Sequence, residues 1–188
     1  MLLWHDGLDY NAGSTYFAAQ YPSSVGISSG AHQHSGKQAV VSSNGFFRVD
    51  HAVPSGFGSD TATVGLSLKL ETGSVPANNS TFLEFKTAGG TIKLMFSLAC
   101  YDSGFRVECR TKTYTPELLY NKFYYVEIQV AFSSTQGRIV MRVNGTEVAR
   151  AENIDTSGGV SAWGQTVLHM QAPPALFRIS DLYVCDGT

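Results

Sequence analysis

The sequence predicts an all-β protein, two antiparallel sheets packed face to face, on three observations. The run Phe123-Tyr-Tyr-Val-Glu-Ile-Gln-Val-Ala-Phe132 alternates with period two. Tyr124, Val126, Ile128, Val130 and Phe132 fall on one face and Tyr125, Glu127 and Gln129 on the other, the pattern of a half-buried strand. Asn144-Gly145 separates Arg138-Ile-Val-Met-Arg-Val143 from Thr146-Glu-Val-Ala-Arg150, and Asn-Gly is the strongest short hairpin signal because a type I′ turn needs φ > 0 at both central residues. Glycine is abundant, with 19 residues, while Asp, Glu, Lys and Arg make up only 15% of the chain. That composition suits short strands joined by tight turns rather than long helices. Three strands with one apolar face cannot stand alone, so a second sheet must cover them.

Taken from the N-terminus, residues 1–36 show no sustained period. Tyr10, Tyr16, Phe17 and Tyr21 are interleaved with Gly, Ser and Asn, which reads as an N-terminal arm or first strands packed on the same domain. The alternative is an arm that reaches a neighbouring subunit. The jelly-roll body is expected over 37–188, in a single domain overall. Lys37–Val41 and Phe46–Val49 read as short strands around a turn. Ala62–Leu70 alternates, with Val64, Leu66, Leu68 and Leu70 inward and Thr63, Ser67 and Lys69 outward; Gly65 marks a bulge or a close contact. Thr81–Lys86, Thr91–Cys100 and Phe105–Arg110 follow, the last two joined by a hairpin turn at Tyr101–Gly104. Pro116–Leu119 reads as one helical turn with proline at its start. Thr166–Met170 is a short strand. In Ala175–Val184 the apolar phase switches between Phe177/Ile179 and Leu182/Val184, which predicts a bulge at Ser180-Asp181. The tally is about eleven to fourteen strands, in the spacing of a sandwich.

Net charge is −2, so no electrostatic footprint for nucleic acid or an anionic membrane is expected. The start, Met1-Leu-Leu-Trp4, lacks the basic and apolar regions of an export signal, so folding in the cytoplasm of the producing cell is expected. The three cysteines, Cys100, Cys109 and Cys185, are then expected as free thiols, with Cys100 opposite Val107 across the hairpin rather than opposite Cys109. Gly26-Ile-Ser-Ser-Gly30 matches the G-x-S-x-G elbow, but a hydrolase nucleophile there needs a helix after it, and the sequence that follows reads as loop. His32 and His34 read as a solvated loop pair rather than metal ligands. No cofactor is expected.

The C-terminal half carries a resemblance. Phe123-Tyr-Tyr-Val-Glu-Ile, then Gly137-Arg-Ile-Val-Met-Arg-Val-Asn-Gly145, then Ile179-Ser-Asp-Leu-Tyr-Val-Cys-Asp-Gly-Thr188, resembles the laminin-G-like, concanavalin A-like jelly rolls of tailed-bacteriophage virion proteins. Ser35–Val40 and Thr63–Leu68 resemble earlier strands of the same module. The resemblance implies a virion protein made in the host cytoplasm. Its implied partners are other virion proteins, a major capsid or tail protein, in a homo-oligomer, with no nucleic acid and no membrane.

Glucanases on such folds set carboxylates at alternate strand positions. None of the 15 acidic residues forms an E-x-D or D-x-E pair, and Glu127 stands beside Gln129. The sequence therefore predicts a non-enzymatic protein with no catalytic residues and no metal site. A capsid decoration (cement) protein, or another head- or tail-attached protein, is expected. The alternative is a lectin-like module for a host-surface glycan. Trp163 with Asp155, and Tyr101 with Asp102, are its candidate contacts, although Trp163 could equally plug the end of the sandwich.

Overall fold

The computed structural model describes residues 2–6, 25–29, 37–41, 46–52, 60–71, 80–87, 89–109, 113–157, 165–171 and 177–186. Among them are fifteen strands: β1 Leu2–Asp6, β2 Val25–Ser29, β3 Lys37–Val41, β4 Phe46–Ala52, β5 Thr61–Leu70, β6 Ser80–Lys86, β7 Ile92–Cys100, β8 Gly104–Cys109, β9 Thr113–Tyr114, β10 Leu118–Leu119, β11 Tyr124–Ala131, β12 Gly137–Val143, β13 Thr146–Ile154, β14 Gln165–Gln171 and β15 Phe177–Asp186. They form an eight-stranded sheet, β13-β12-β11-β5-β15-β3-β2 with β1 also on β15, and a seven-stranded sheet, β10-β8-β7-β6-β14-β4 with β9 also on β8. Every pairing is antiparallel. The expected two-sheet sandwich is the fold.

Alternation decides what lies between the sheets. Val64, Leu66, Leu68 and Leu70 of β5 are fully buried, as are Val126, Ile128 and Val130 of β11 and Ile139 and Met141 of β12. The other sheet answers with Phe82, Leu83, Phe85, Phe96, Phe105 and Val107, also fully buried. Phe85 lies edge-on to Phe96 within its own sheet, at 6.2 Å between centroids, and edge-on to Phe132, just past β11 of the opposite sheet, at 5.5 Å. Offset and edge-to-face contacts suit the ring quadrupoles.

Two turns follow the sequence closely. Asn144 and Gly145 have φ of 51° and 78°, the double positive φ of a type I′ turn. At Ser180-Asp181 the ladder between β15 and β5 shifts, and Asp181 takes a φ of 52°. The bulge moves β15 from one alternation phase to the other, so Ile179, Leu182 and Val184 all reach the core.

Two readings are corrected. Pro116–Leu119 forms no helical turn; Leu118 and Leu119 pair with Phe105 and Gly104 as β10. Four residues are too few to offset the cost of nucleating a helix, whereas extended backbone finds partners on the edge of β8 at once. The turn at Tyr101–Gly104 is one pair tighter than expected. Tyr101 N–H donates to the Gly104 carbonyl (2.7 Å), and Cys100 faces Phe105, not Val107. Cys109 faces Phe96, and among the described residues Cys100, Cys109 and Cys185 form no disulfide. Burial pushes the Cys100 thiol up from its ordinary value. Thr63 and Ser67 face away from the core, as expected, and are 7% and 0% exposed; Asp181 of β15 accepts from Ser67, and the Tyr183 ring lies over Gly65 between them. Within 1–36, expected as an N-terminal arm or first strands, β1 and β2 belong to the eight-stranded sheet. Ser28 sits within β2, in register with Gln38, where an elbow would have to turn sharply. His32 and His34 lie outside the described residues.

Candidate functional site

The outer face of the eight-stranded sheet holds the densest polar cluster among the described residues. Strand register builds it. Tyr183 of β15 pairs with Gly65 of β5, Gly65 with Glu127 of β11, and Glu127 with Arg142 of β12. The four positions form one straight row across four strands. At its far end, His5 of β1 is the register partner of Tyr183.

Gly65 is what lets this row become a network. A Cβ there would stand 2.1 Å from Tyr183 Cε1 and 2.4 Å from Cζ. The tyrosine ring therefore lies flat across the glycine and reaches past β5. Its hydroxyl donates to Glu127 Oε2 at 2.5 Å, and Arg142 Nη1 donates to Glu127 Oε1 at 2.7 Å. Tyr125, two residues before Glu127 on the same face, stacks on Tyr183 with centroids 6.3 Å apart and planes 23° apart. Burial, and then the hydrogen bond to Glu127, push the Tyr183 phenol well above its ordinary value; burial also raises the Tyr125 phenol. Both are protonated at neutral pH.

The bulge supplies the flank. Asp181 Oδ2 accepts from Ser67 Oγ (3.2 Å) and Ser180 Oγ (2.9 Å), which fixes the chain where β15 changes phase, two residues before Tyr183. On the other side Gln129 continues the face of Glu127 and is 7% exposed. Arg138 of β12 shares the face of Arg142, and its buried Nε has no hydrogen-bond partner among the described residues. Two cations and an acid–phenol pair thus share one surface.

At the end of β5 and β15 a second ion group braces the sheet. Glu71 Oε1 accepts from Arg178 Nε (2.5 Å) and Lys69 Nζ (3.2 Å), and Lys69 also sits 5.7 Å above the Phe123 ring. The Arg178 hydrogen bond, ahead of opposing desolvation, holds the Glu71 carboxyl below its ordinary value of 4.5. A depressed folded-state value means the contribution is present above 4.5 and is lost as pH falls through the folded value. Glu71→Gln is expected to lower the melting temperature at neutral pH, with the gap to the wild type closing on acidification below 4.5. A gap that stays constant with pH would show that the ion group does not contribute.

The residues singled out from sequence are dispersed. Trp163 lies outside the described residues. Asp155 shapes the turn after β13: its Oδ1 accepts from Ser157 N (2.9 Å) and Oγ (3.1 Å). Tyr101 and Asp102 are exposed at the β7–β8 hairpin of the other sheet. Among the described residues, no group of three or more His, Cys, Asp or Glu side chains could hold a metal ion. Sequence reasoning missed Tyr183, Tyr125 and Arg142 because the row joins four strands spread from Gly65 to Tyr183. Its sequence signal was Gly65 in the middle of an alternating strand.

No protein-family model matches the chain, and no curated protein matches its sequence. Solved structures do match over nearly its whole length. An endo-β-1,4-glucuronan lyase from Trichoderma reesei superposes with TM-score 0.66 at 10% identity, covering 100% of this chain and 96% of that one. An alginate lyase mutant bound to alginate trisaccharide gives 0.69 at 12% identity, covering 97% of each chain. A carbohydrate esterase of the Shiga toxin-encoding bacteriophage phi24B gives 0.64 at 11% identity, covering 100% of this chain and 99% of that one. At such identities the likeness shows the fold, a β-sandwich shared with carbohydrate-active proteins. It overturns the expectation of a non-enzymatic protein, which rested on missing carboxylate pairs. Paired carboxylates are a requirement of glycoside hydrolysis, and lyases on this sandwich cleave by other chemistry.

Proposed function

We propose that this chain binds an acidic polysaccharide on the outer face of its eight-stranded sheet and cleaves it by β-elimination, with Tyr183 and Glu127 as the proton-transfer pair. The observation that carries the reading is the hydrogen-bonded row Tyr183–Glu127–Arg142 laid across Gly65. The lyases on the same fold support it.

Elimination from a uronate needs three things. The sugar carboxylate must be neutralised, the proton α to it removed, and the leaving glycosidic oxygen protonated. Arg142, with Arg138 four residues along the same strand face, answers the first. When the substrate carboxylate draws Arg142 and the leaving oxygen accepts the Tyr183 hydroxyl, Glu127 is released from both partners to take the α proton. The electron pair of that C–H bond forms the new double bond as the C–O bond breaks. Tyr183 gives its proton to the departing oxygen. The raised Tyr183 value keeps that proton in place until the leaving oxygen needs it. Glu127 then returns the abstracted proton to the phenolate along the same 2.5 Å contact. No proton is gained or lost over the cycle, and both groups work from one side of the sugar.

For location, we propose attachment to a bacteriophage particle, supported by the C-terminal motif and by the likeness to a bacteriophage carbohydrate esterase along 99% of that chain. A role in recognising or trimming a host-surface glycan joins the two readings. Mass spectrometry of purified particles would find the chain; hundreds of copies would mean the capsid lattice and a dozen or so the tail.

The activity is tested with alginate, polymannuronate and glucuronan, following the ultraviolet absorbance of unsaturated uronate ends. Turnover of at least one is expected. Glu127→Gln and Tyr183→Phe should each lower it by about 10²–10⁴, the usual worth of a positioned acid or base. Absence of unsaturated product from all three polymers would sink the reading.

A further inference from the structure

Three of the four exposed large hydrophobic side chains among the described residues, Tyr101, Tyr114 and Leu119, gather on one edge of the other sheet. Register explains why. Tyr114 of β9 pairs with Glu108, and Leu119 of β10 with Gly104, both on β8, so both lie on its outward face with Arg106 between them. Arg106 Cζ stands 5.1 Å from the Tyr101 ring centroid and 5.4 Å from that of Tyr114. The guanidinium is held between two rings, a cation–π arrangement that fixes both.

Tyr101 is anchored at both ends. Its hydroxyl donates to Glu108 Oε1 (3.0 Å), its backbone N–H to the Gly104 carbonyl (2.7 Å), and its carbonyl accepts from Tyr120 Oη (2.8 Å). Burial pushes the Tyr120 phenol up to about 12, so that donor keeps its proton at any ordinary pH. Glu117 completes the rim, accepting from Ser103 Oγ and lying 4.0 Å from Arg106 Nη2. Rigid, exposed rings lose little conformational freedom on binding, which is how aromatic platforms gain affinity.

We infer that Tyr101, Tyr114 and Arg106 form a second carbohydrate-binding platform, for neutral pyranose units, separate from the proposed lyase face. Charge selects the ligand. Among the described residues, the Glu108 and Glu117 carboxylates flank the Arg106–Tyr101 pair, which offsets the guanidinium charge and offers acceptors to sugar hydroxyls. Tyr101 and Tyr114, 38% and 51% exposed, offer the ring surface that Arg106 leaves open to the C–H face of a pyranose. β9 and β10 are only two residues each, so the edge presents no run of backbone groups for an added protein strand. This inference goes beyond the lyase reading and does not need it to hold.

Affinity electrophoresis in gels containing laminarin, dextran or galactomannan tests it, with a gel lacking polymer as the reference. At least one neutral polymer is expected to retard the protein. Tyr114→Ala and Tyr101→Ala should each weaken that retardation by about tenfold. Tyr101→Phe, which keeps the ring, should retain most of it, and Tyr183→Phe should leave it unchanged. Tyr114 is half exposed, so its removal does not threaten the fold. The inference is overturned if none of the three neutral polymers retards the protein, or if retardation survives both alanine variants. It is also overturned if Tyr114→Ala instead splits an oligomer into monomers, since the patch would then be a contact between copies.

Discussion

Gly65→Ala is expected to remove most activity on an acidic polysaccharide while leaving the sandwich folded. The added methyl would lie 2.1 Å from Tyr183 Cε1, a distance no pair of carbons tolerates, so one of the two must move. The backbone of β5 is held on both sides, by β11 and by β15, and its apolar side chains are fully buried. The Tyr183 ring is only partly buried and turns about two bonds, so the ring moves. Once it swings off the glycine, its hydroxyl loses Glu127, and the Glu127 carboxylate keeps Arg142 alone. Alanine also suits a strand somewhat better than glycine, which offsets part of the lost hydrogen bond in stability. The expected signature is therefore a split: turnover down by about a hundredfold or more, in line with Tyr183→Phe, and a melting temperature within a few degrees of wild type. Steady-state turnover and thermal unfolding, measured on the same preparation, check it. If Gly65→Ala turns over substrate as the parent does, the tyrosine–glutamate contact has no part in the chemistry.

What was legible in the sequence follows from how local each feature is. Strands β5, β11, β12 and β15 could be read because alternation within ten residues decides which face is buried, and Asn144-Gly145 fixes a turn within two. The bulge at Ser180-Asp181 showed itself as a change of phase between Ile179 and Leu182. β9 and β10 could not be read that way, since two residues have no period; they exist because β8 had an unpaired edge for them. The candidate site was harder still. Glu127 was noticed and set aside for want of a second carboxylate nearby in sequence. Its partners were Arg142, fifteen residues on, and Tyr183, fifty-six residues on, brought beside it only by strand order. Missing carboxylate pairs speak only against hydrolysis by two acids, one reaction type among those a β-sandwich can carry. Gly65 was the available clue: a glycine in the middle of a buried strand asks what lies against it, and the answer is the ring that makes the site.

Phe85→Ala is expected to be the most damaging single truncation in the core, costing about 3–5 kcal/mol. The side chain is fully buried, and it is the ring through which the seven-stranded sheet touches Phe132 of the other sheet while still packing on Phe96 of its own. Its loss removes the transfer free energy of a large ring. It also leaves a void that two sheets, each tied by its own ladder, cannot close by sliding together. Against a typical total of about 5–15 kcal/mol for a domain, that is a large fraction of the stability. The urea midpoint should fall, with the melting temperature lower by roughly ten degrees or more. Leu119→Ala, a truncation at a side chain 45% exposed, should stay within about 0.5 kcal/mol and serves as the comparison. The decisive measurement is the double-mutant cycle of Phe85→Ala with Phe132→Ala. Because the two rings meet at 5.5 Å across the interface, their losses should fall short of additive by about 0.5–1.5 kcal/mol. Strict additivity would mean that the two sheets do not meet through these rings, and the face on which Glu127 and Tyr183 stand would then lack the rigid support that holds a proton-transfer pair in place.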